Sequence, residues 1–344
     1  MWKETIPREH CAKMKDTRIL ITGRLPEDIM ASLAEKYAVE ANMEDRPFDR
    51  QKLLQSIRDK DGLISMITDN VDEELLNAAA SLKIIAHFGV GYNNIDVKAA
   101  TSRGILVSNT PGVLTDATAE LAFALILAVS RRLVACDRIT REGRFQYWAP
   151  MLFLGREVTG KTLGIIGLGK IGKAVALRAK GFAMHVLYHN RNRIDISEEK
   201  ALNAEYVSLK TLLMESDFVS LHVPLTEQTK HLIGADELSL MKPAAYLINT
   251  SRGPVVDEQA LLNALLERKI EGAGLDVYEH EPALTPGLTE LDNVILLPHV
   301  GSGTLETRVR MATMAAENLI AGLNGEVPPN LVNPEALTRR GLIK

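Results

Sequence analysis

Short apolar runs separated by amphipathic stretches set the rhythm of this chain. RILIT (Arg18 to Thr22), GLISMI, LKIIA and ILV each read as a buried strand, with helix-like segments between them, the first opening at Pro26. A second series starts at Lys161 and continues through TLGIIG, HVLYH, DFVSLHV, YLINT, GAGLDV and NVILLPH. Strands of this kind alternating with helices predict βαβ units and parallel sheets. Between the two series one long helix is predicted from Thr115 to Arg141, with Thr115 or Asp116 as its N-cap and Glu120 in its first turns. After Gly303 the pattern returns to a single amphipathic helix, Leu305 to Leu323, and then to the proline-containing tail GEVPPNLVNPEAL. No repeat of solenoid length and no low-complexity segment interrupts the pattern.

With 344 residues, 46% hydrophobic and 24% charged, the chain can bury two cores, at roughly 100–200 residues per domain. A net charge of −4 excludes the basic footprint of a nucleic-acid binder. Cys11 and Cys136 stand in neither a metal nor a redox spacing, which points to a reducing, cytoplasmic setting without structural disulfides. The longest apolar run, Leu121 to Val129, is far short of the roughly 20 residues a membrane span needs. The opening MWKETIPREHCAKMKD is polar and lacks the apolar core of a signal peptide; a loose tail is expected there, and Met14 is an alternative start.

The sequence GIIGLGKIG places Gly167, Gly169 and Gly172 at GxGxxG spacing, after the strand-like TLGII and at the opening of the helix-like KIGKAVALRAKGF. In that context the glycines allow a tight turn and close approach of backbone to a pyrophosphate, which then meets a helix N-terminus. A partial echo, HFGVGYNNID, has Gly89 and Gly91 but Asn94 where a third glycine would stand. It reads as an anion loop for a substrate carboxylate, or as an ordinary tight turn. The end of the next strand selects the cofactor. An NAD site normally carries Asp or Glu about 20 residues past the loop, but this chain has LYHNRNR, with Asn190, Arg191, Asn192 and Arg193. Two guanidiniums there could bind a 2′-phosphate bidentately, so NADP, with NADPH preferred, is expected and NAD remains possible.

Three stretches carry the chemistry: NTSRGPVVDE around Arg252, GLDVYEHEP with Glu281, and LPHVGS around His299. Each follows an apolar run, so a cation, a carboxylate and an imidazole all leave strand C-termini, the edge where open α/β sheets bind ligands. Taken singly, each has an ordinary structural explanation. Together they match the reduction of a 2-oxo acid, which needs a fixed cation for carboxylate and carbonyl oxygen and an acid to protonate that oxygen. Histidine is that acid near neutral pH, and a carboxylate behind it orients the ring and favours its protonated form. His222, His231 and His280 compete for the role, although His222 in HVPLT suits an adenosine pocket wall better. Metal ligation is not expected, because His185 and His189 have no third ligand nearby in the sequence.

The motifs GVGYNNID, NTPGVLTDATAELAF, GKTLGIIGLGKIG, ESDFVSLHVPLTEQTKHLIG, MKPAAYLINTSRGPVVDE, AGLDVYEHEP and LPHVGSGT, taken together, resemble the D-isomer-specific 2-hydroxyacid dehydrogenase family from Arg18 to about Pro334. Within it they are most similar to the glyoxylate/hydroxypyruvate reductase subgroup. The resemblance implies two Rossmann-like α/β domains with the active site in the cleft between them. Residues 1–109 and 304–344 would form a split substrate-binding domain and residues 110–303 the dinucleotide-binding domain. It implies His299 as acid/base, Glu281 as its partner, Arg252 as the orienting cation, and substrate contacts from the backbone at Val90 and Gly91. Cofactor contacts would come from Gly167, Leu168, Gly169, Lys170, Ile171, Gly172, from Asn190 to Arg193, and from Thr250, with Thr115, Pro224, Asp276 and Gly301 also lining the site.

The expected reaction is NADPH-dependent reduction of glyoxylate and hydroxypyruvate to D-2-hydroxy acids. The alternatives are NAD-linked oxidation of a D-2-hydroxy acid such as phosphoglycerate, and a dinucleotide-sensing scaffold of corepressor type. Two departures bear on substrate size: Asn93 stands where the family commonly has Asp, and FQYWAPMLFLGREV, with Trp148, is built differently from related arms that reach across a dimer. No added regulatory domain is expected after Pro334. A homodimer packed through the apolar helix Leu121 to Val129 is expected, with neither a nucleic acid nor a membrane as partner.

Overall fold

A computed structural model describes residues 16–341; the expected loose tail and Cys11 lie outside the described residues. The chain divides into two compact units, residues up to Leu114 together with those from Thr304 onward, and Thr115–Gly303.

The first unit holds a five-stranded parallel sheet of β1 (Arg18–Ile21), β2 (Ala38–Ala41), β3 (Gly62–Ser65), β4 (Ile84–His87) and β5 (Leu106–Ser108), ordered β2-β1-β3-β4-β5. The runs that form β3, β4 and β5 are buried at every position, as expected where both faces of a parallel sheet are covered. The helix Leu305–Leu323 packs on β3, β4 and β5. Its Gly322 lies so close to β4 that a Cβ there would come within 2.3 Å of Ile84. This helix therefore belongs to the first unit.

The second unit is a seven-stranded parallel sheet of β6 (Thr162–Ile166), β7 (His185–His189), β8 (Ala204–Tyr206), β9 (Phe218–Leu221), β10 (Tyr246–Asn249), β11 (Gly272–Leu275) and β12 (Val294–Leu296), ordered β12-β11-β10-β9-β6-β7-β8. Winding outward in both directions from β6 and β9 makes their junction a topological switch point, where ligand crevices form at strand C-termini. Ile166 pairs with Leu221 there, so the loops after β6 and β9 leave the sheet side by side.

Two details differ from the sequence expectations. The long helix is two, Thr115–Ser130 and Leu133–Arg141, broken at Arg132 with φ 54°. The break has a cause: the Ser130 carbonyl accepts the Arg156 N–H at 2.8 Å, so the helical ladder loses that acceptor. Thr115 and Asp116 also lie within the first turn and do not precede it; Asp116 and Glu120 both face Arg178. The apolar stretch 121–129 is divided between core and surface, with Ala124 exposed and Leu121, Leu127 and Ala128 half-buried. Ala122, Phe123, Leu125, Ile126 and Val129 are buried in the core of their own unit, against β10, β11 and the helix Lys170–Ala179. No helix among the described residues is long and apolar enough to cross a membrane.

Candidate functional site

The loop after β6 is shaped by its three glycines. Gly167 has φ +98°, and a Cβ on it would meet the His222 backbone at 2.7 Å. A Cβ on Gly172 would meet the Gly167 carbonyl oxygen at 2.3 Å, which fixes how closely the helix follows the strand. At Gly169 no described residue beyond its chain neighbours and its own helix backbone lies within 4 Å of that position. This glycine is not demanded by packing and leaves a bare surface beside the N-terminus of the helix Lys170–Ala179, which carries no side-chain cap. Uncapped N–H groups at the positive end of a helix suit a pyrophosphate.

Other groups at the same sheet edge fit a dinucleotide. Thr250, just past β10, is buried and its Oγ1 has no hydrogen-bond partner. The His222 ring, past β9, bonds Ser220 Oγ through Nε2 at 2.8 Å, while its buried Nδ1 has no partner. Burial pushes the His222 pKa down to about 4, so the ring is neutral and suited to a pocket wall. Pro224, exposed, closes the following turn by accepting Thr229 Oγ1 at 2.6 Å.

The end of β7 corrects one expectation. Arg193 is not available to a phosphate: its Nε and NH2 each bond a Glu199 carboxylate oxygen at 2.7 Å. The guanidinium and the Tyr188 hydroxyl together hold the Glu199 carboxyl down at about 2, while burial and Glu199 push Tyr188 up to about 12. Asn190 also has a task within the protein, since its Oδ1 accepts the Leu168 N–H at 2.7 Å and pins the glycine loop to β7. Arg191 and Asn192 are exposed, and among the described residues no hydrogen bond or ion pair engages either.

Arg252 leaves β10 through a turn closed by Asn249, whose Oδ1 accepts the Ser251 N–H and Oγ–H and whose Nδ2 donates to the Arg252 carbonyl at 3.0 Å. The Arg252 NH1 donates to the Ser251 carbonyl at 2.7 Å. Burial holds the guanidinium pKa below its ordinary value against the opposing Glu281 charge. Sequence reasoning assigned nothing to Asn249, although its place between a strand end and a turn was the available signal.

Glu281 and His299 meet: His299 Nδ1 lies 2.8 Å from Glu281 Oε2, and the other carboxylate oxygen accepts the Tyr278 N–H at 2.9 Å. Burial alone would raise the Glu281 pKa, but His299, the Tyr278 N–H and Arg252 outweigh it and hold the carboxyl below its ordinary value. With Nδ1 turned to the carboxylate, Nε2 is the ring nitrogen left for a reacting atom. Two further residues hold the histidine turn. Tyr278 Oη donates to the Leu297 carbonyl at 2.8 Å, and the buried Asp276 accepts the N–H groups of Val300 and Gly301, each at 2.7 Å. Asp276 and Gly301 are therefore first of all parts of the turn that presents His299, whose backbone sits at φ 54°. Burial keeps the Asp276 pKa above its ordinary value despite those donors. Of the competing histidines, His231 pairs with Glu279 at 2.6 Å, and His280 lies on the exposed side of the same loop.

In the first unit, the loop after β4 turns carbonyls inward. Gly89 O accepts the Thr110 N–H at 2.9 Å and Val90 O accepts Asn109 Nδ2 at 2.8 Å. The N–H groups of Val90 and Gly91 have no partner among the described residues. Outward-facing backbone N–H groups of this kind suit an anion.

Comparison with known proteins identifies the family. The model of the D-isomer specific 2-hydroxyacid dehydrogenase NAD binding domain matches residues 123–301. A glyoxylate reductase of Thermococcus litoralis is 53% identical over 325 residues, 93% of this chain and 98% of that protein. A crystal structure of a Thermus thermophilus protein superposes with a TM-score of 0.85 at 44% identity, covering 92% of this chain and all (100%) of the other. An NADPH-dependent glyoxylate/hydroxypyruvate reductase of Sinorhizobium meliloti, solved with NADP and malonate, gives a TM-score of 0.81 at 34% identity over 93% of this chain and 98% of the other.

Proposed function

Because this chain belongs to the D-isomer-specific 2-hydroxyacid dehydrogenase family, we propose that it reduces glyoxylate, and by extension hydroxypyruvate, to the D-2-hydroxy acid. The single observation that carries this reading is the Glu281–His299 pair at 2.8 Å, with Arg252 close enough to lower the Glu281 pKa. The curated relative from Thermococcus litoralis is named for glyoxylate reduction. The cofactor, when bound along the Gly167 to Gly172 loop, supplies the hydride that goes to the carbonyl carbon.

The protein's own residues do the rest. His299 delivers a proton from Nε2 to the carbonyl oxygen as the hydride arrives. Glu281 keeps Nδ1 protonated and balances the imidazolium, and Arg252 neutralises the carboxylate and the developing alkoxide. The N–H groups of Val90 and Gly91 also serve a substrate carboxylate. Asn190, Thr250, Thr115, Pro224, Asp276 and the glycine loop frame the cofactor, and Arg191, supported by Asn192, sets its choice. With Arg193 committed to Glu199, a preference for NADPH rests on one guanidinium. A cytoplasmic setting fits a chain with two cysteines.

The protein acts as a homodimer through residues 133–154. Leu133, Val134, Phe145, Trp148, Met151 and Leu154 are all more than half exposed there, and apolar surface of that density is the mark of an interface. The functional reading is tested by steady-state kinetics on a panel of small 2-oxo acids with NADPH and NADH, with chiral analysis of the product. Reduction of glyoxylate and formation of D-glycerate from hydroxypyruvate support it; an L product or no turnover overturns it.

A further inference from the structure

The loop that offers the Val90 and Gly91 N–H groups is supported from beneath by a side chain that plays no part in the reaction as derived above. His87, the last residue of β4, is fully buried. Its Nδ1 lies 3.0 Å from the Oγ of Ser65, the equally buried last residue of β3, and its Nε2 lies 3.0 Å from the Gly91 carbonyl oxygen. A carbonyl oxygen can only accept, so Nε2 carries the proton and Nδ1 accepts from the serine hydroxyl. Gly89 lies directly over the ring, where a Cβ would stand 2.9 Å from Nε2.

The carbonyls of Gly89, Val90 and Gly91 are thus drawn inward in succession by Thr110 N, Asn109 Nδ2 and His87 Nε2. A peptide whose carbonyl is held on one side presents the N–H of the following residue on the other, because the unit is planar and trans. Holding Gly89 O and Val90 O therefore turns out the N–H groups of Val90 and Gly91. Holding Gly91 O stops the loop from rotating about its glycine, the residue with the greatest freedom to do so.

We propose that His87, seated on Ser65, is a positioning residue for the carboxylate of the 2-oxo acid: it holds the 88–91 loop with its N–H groups preorganised. The proposal rests on the glyoxylate-reductase reading. It separates two kinetic constants, because the hydride and proton steps belong to Arg252, Glu281 and His299, whereas the loop supplies substrate binding that is equal in ground and transition states.

The test uses the native protein and three variants, His87→Leu, His87→Gln and Ser65→Ala, with glyoxylate as substrate, NADPH as cofactor and oxamate as a non-reducible carboxylate probe. In His87→Leu, KM for glyoxylate and Ki for oxamate are expected to rise about tenfold, with kcat within about twofold and KM for NADPH unchanged; tenfold corresponds to about 1.4 kcal/mol. His87→Gln retains a donor for the Gly91 carbonyl and should recover part of the loss. Ser65→Ala, which removes one oxygen, should shift KM in the same direction by less and serves if His87→Leu does not fold. Unchanged KM and Ki in the folded variants, or a fall in kcat with unchanged KM, would overturn the proposal while leaving the assigned function standing. A native protein that does not reduce glyoxylate would overturn both.

Discussion

Gly253 lies against the Tyr278–Glu279 peptide with no room for a side chain: a Cβ would stand 1.8 Å from the Tyr278 carbonyl carbon and 2.4 Å from the Glu279 nitrogen. The contact joins the two segments that carry the chemistry, since Arg252 precedes Gly253 and Glu281 closes the loop that starts at Tyr278. Both partners are backbone, so neither can swing aside. Gly253→Ala should therefore displace the cation from the carboxylate. Overpacking of this kind costs about 1–3 kcal/mol, and a displacement of about 1 Å can cost on the order of 10²-fold in rate. Thermal melting and kcat/KM for glyoxylate check it; near-native values of both would show that the loop yields.

If NADPH is preferred as proposed, the choice rests on Arg191. Removing one charged hydrogen bond costs roughly 1.5–3 kcal/mol, so Arg191→Ala should lower kcat/KM for NADPH by on the order of tenfold or more and leave NADH nearly unchanged. Arg193→Ala should act differently, because it strips Glu199 of its partner: it should lower the melting temperature and change the NADPH to NADH ratio little. Kinetics with both cofactors on both variants separate the two arginines. A larger loss of preference in Arg193→Ala would reverse the assignment.

Glu281 is held below the ordinary carboxylate value of 4.5, so its contribution to stability is present above that value and lost as pH falls through the depressed one. Glu281→Gln should accordingly flatten the acid limb of a stability profile below about pH 4.5. In reduction the same substitution removes the carboxylate that accepts from His299 Nδ1, so kcat/KM for glyoxylate should fall while the Kd for NADPH stays unchanged. Urea denaturation across pH and initial rates check the two effects. A native rate would show that the glutamate does not support the histidine, and Glu279 could not replace it, being bound to His231 and the Glu258 N–H.

Assembly through residues 133–154 predicts that Trp148→Asp, an exposed position (79%) in that stretch, dissociates the protein, whereas a polar change at the buried Leu125 or Ile126 unfolds it. Light scattering at micromolar concentration distinguishes these. A native monomer would remove the assembly claim.

What could be read from the chain was mostly local. The glycine loop, the turn carrying Arg252 and the stretch before His299 each sit directly after an apolar strand, so strand end and chemistry share one window of sequence. β2 and β8 were not legible, because AVEA and AEY are three- or four-residue edge strands with acidic residues and too short to show alternation. The fate of Arg193 was hidden for another reason. Its partner Glu199 lies on the helix Ile196–Leu202, and only the fold shows that the chain doubles back to bring them together. The break at Arg132 depends on Arg156, 24 residues further on, reaching the Ser130 carbonyl. Asn249 and His87 were passed over because a polar side chain at a strand end carries no sign of what it will hold.

The central claim is that His299, backed by Glu281, protonates the oxygen of a small 2-oxo acid. Its most direct test is kcat for glyoxylate reduction with saturating NADPH in the native protein and in His299→Ala, with NADPH binding measured in both. General acid catalysis contributes typically 10²–10⁴-fold, so the account predicts a loss of that size with the Kd for NADPH unchanged. Turnover within a few-fold of native in a folded, NADPH-binding His299→Ala would contradict it.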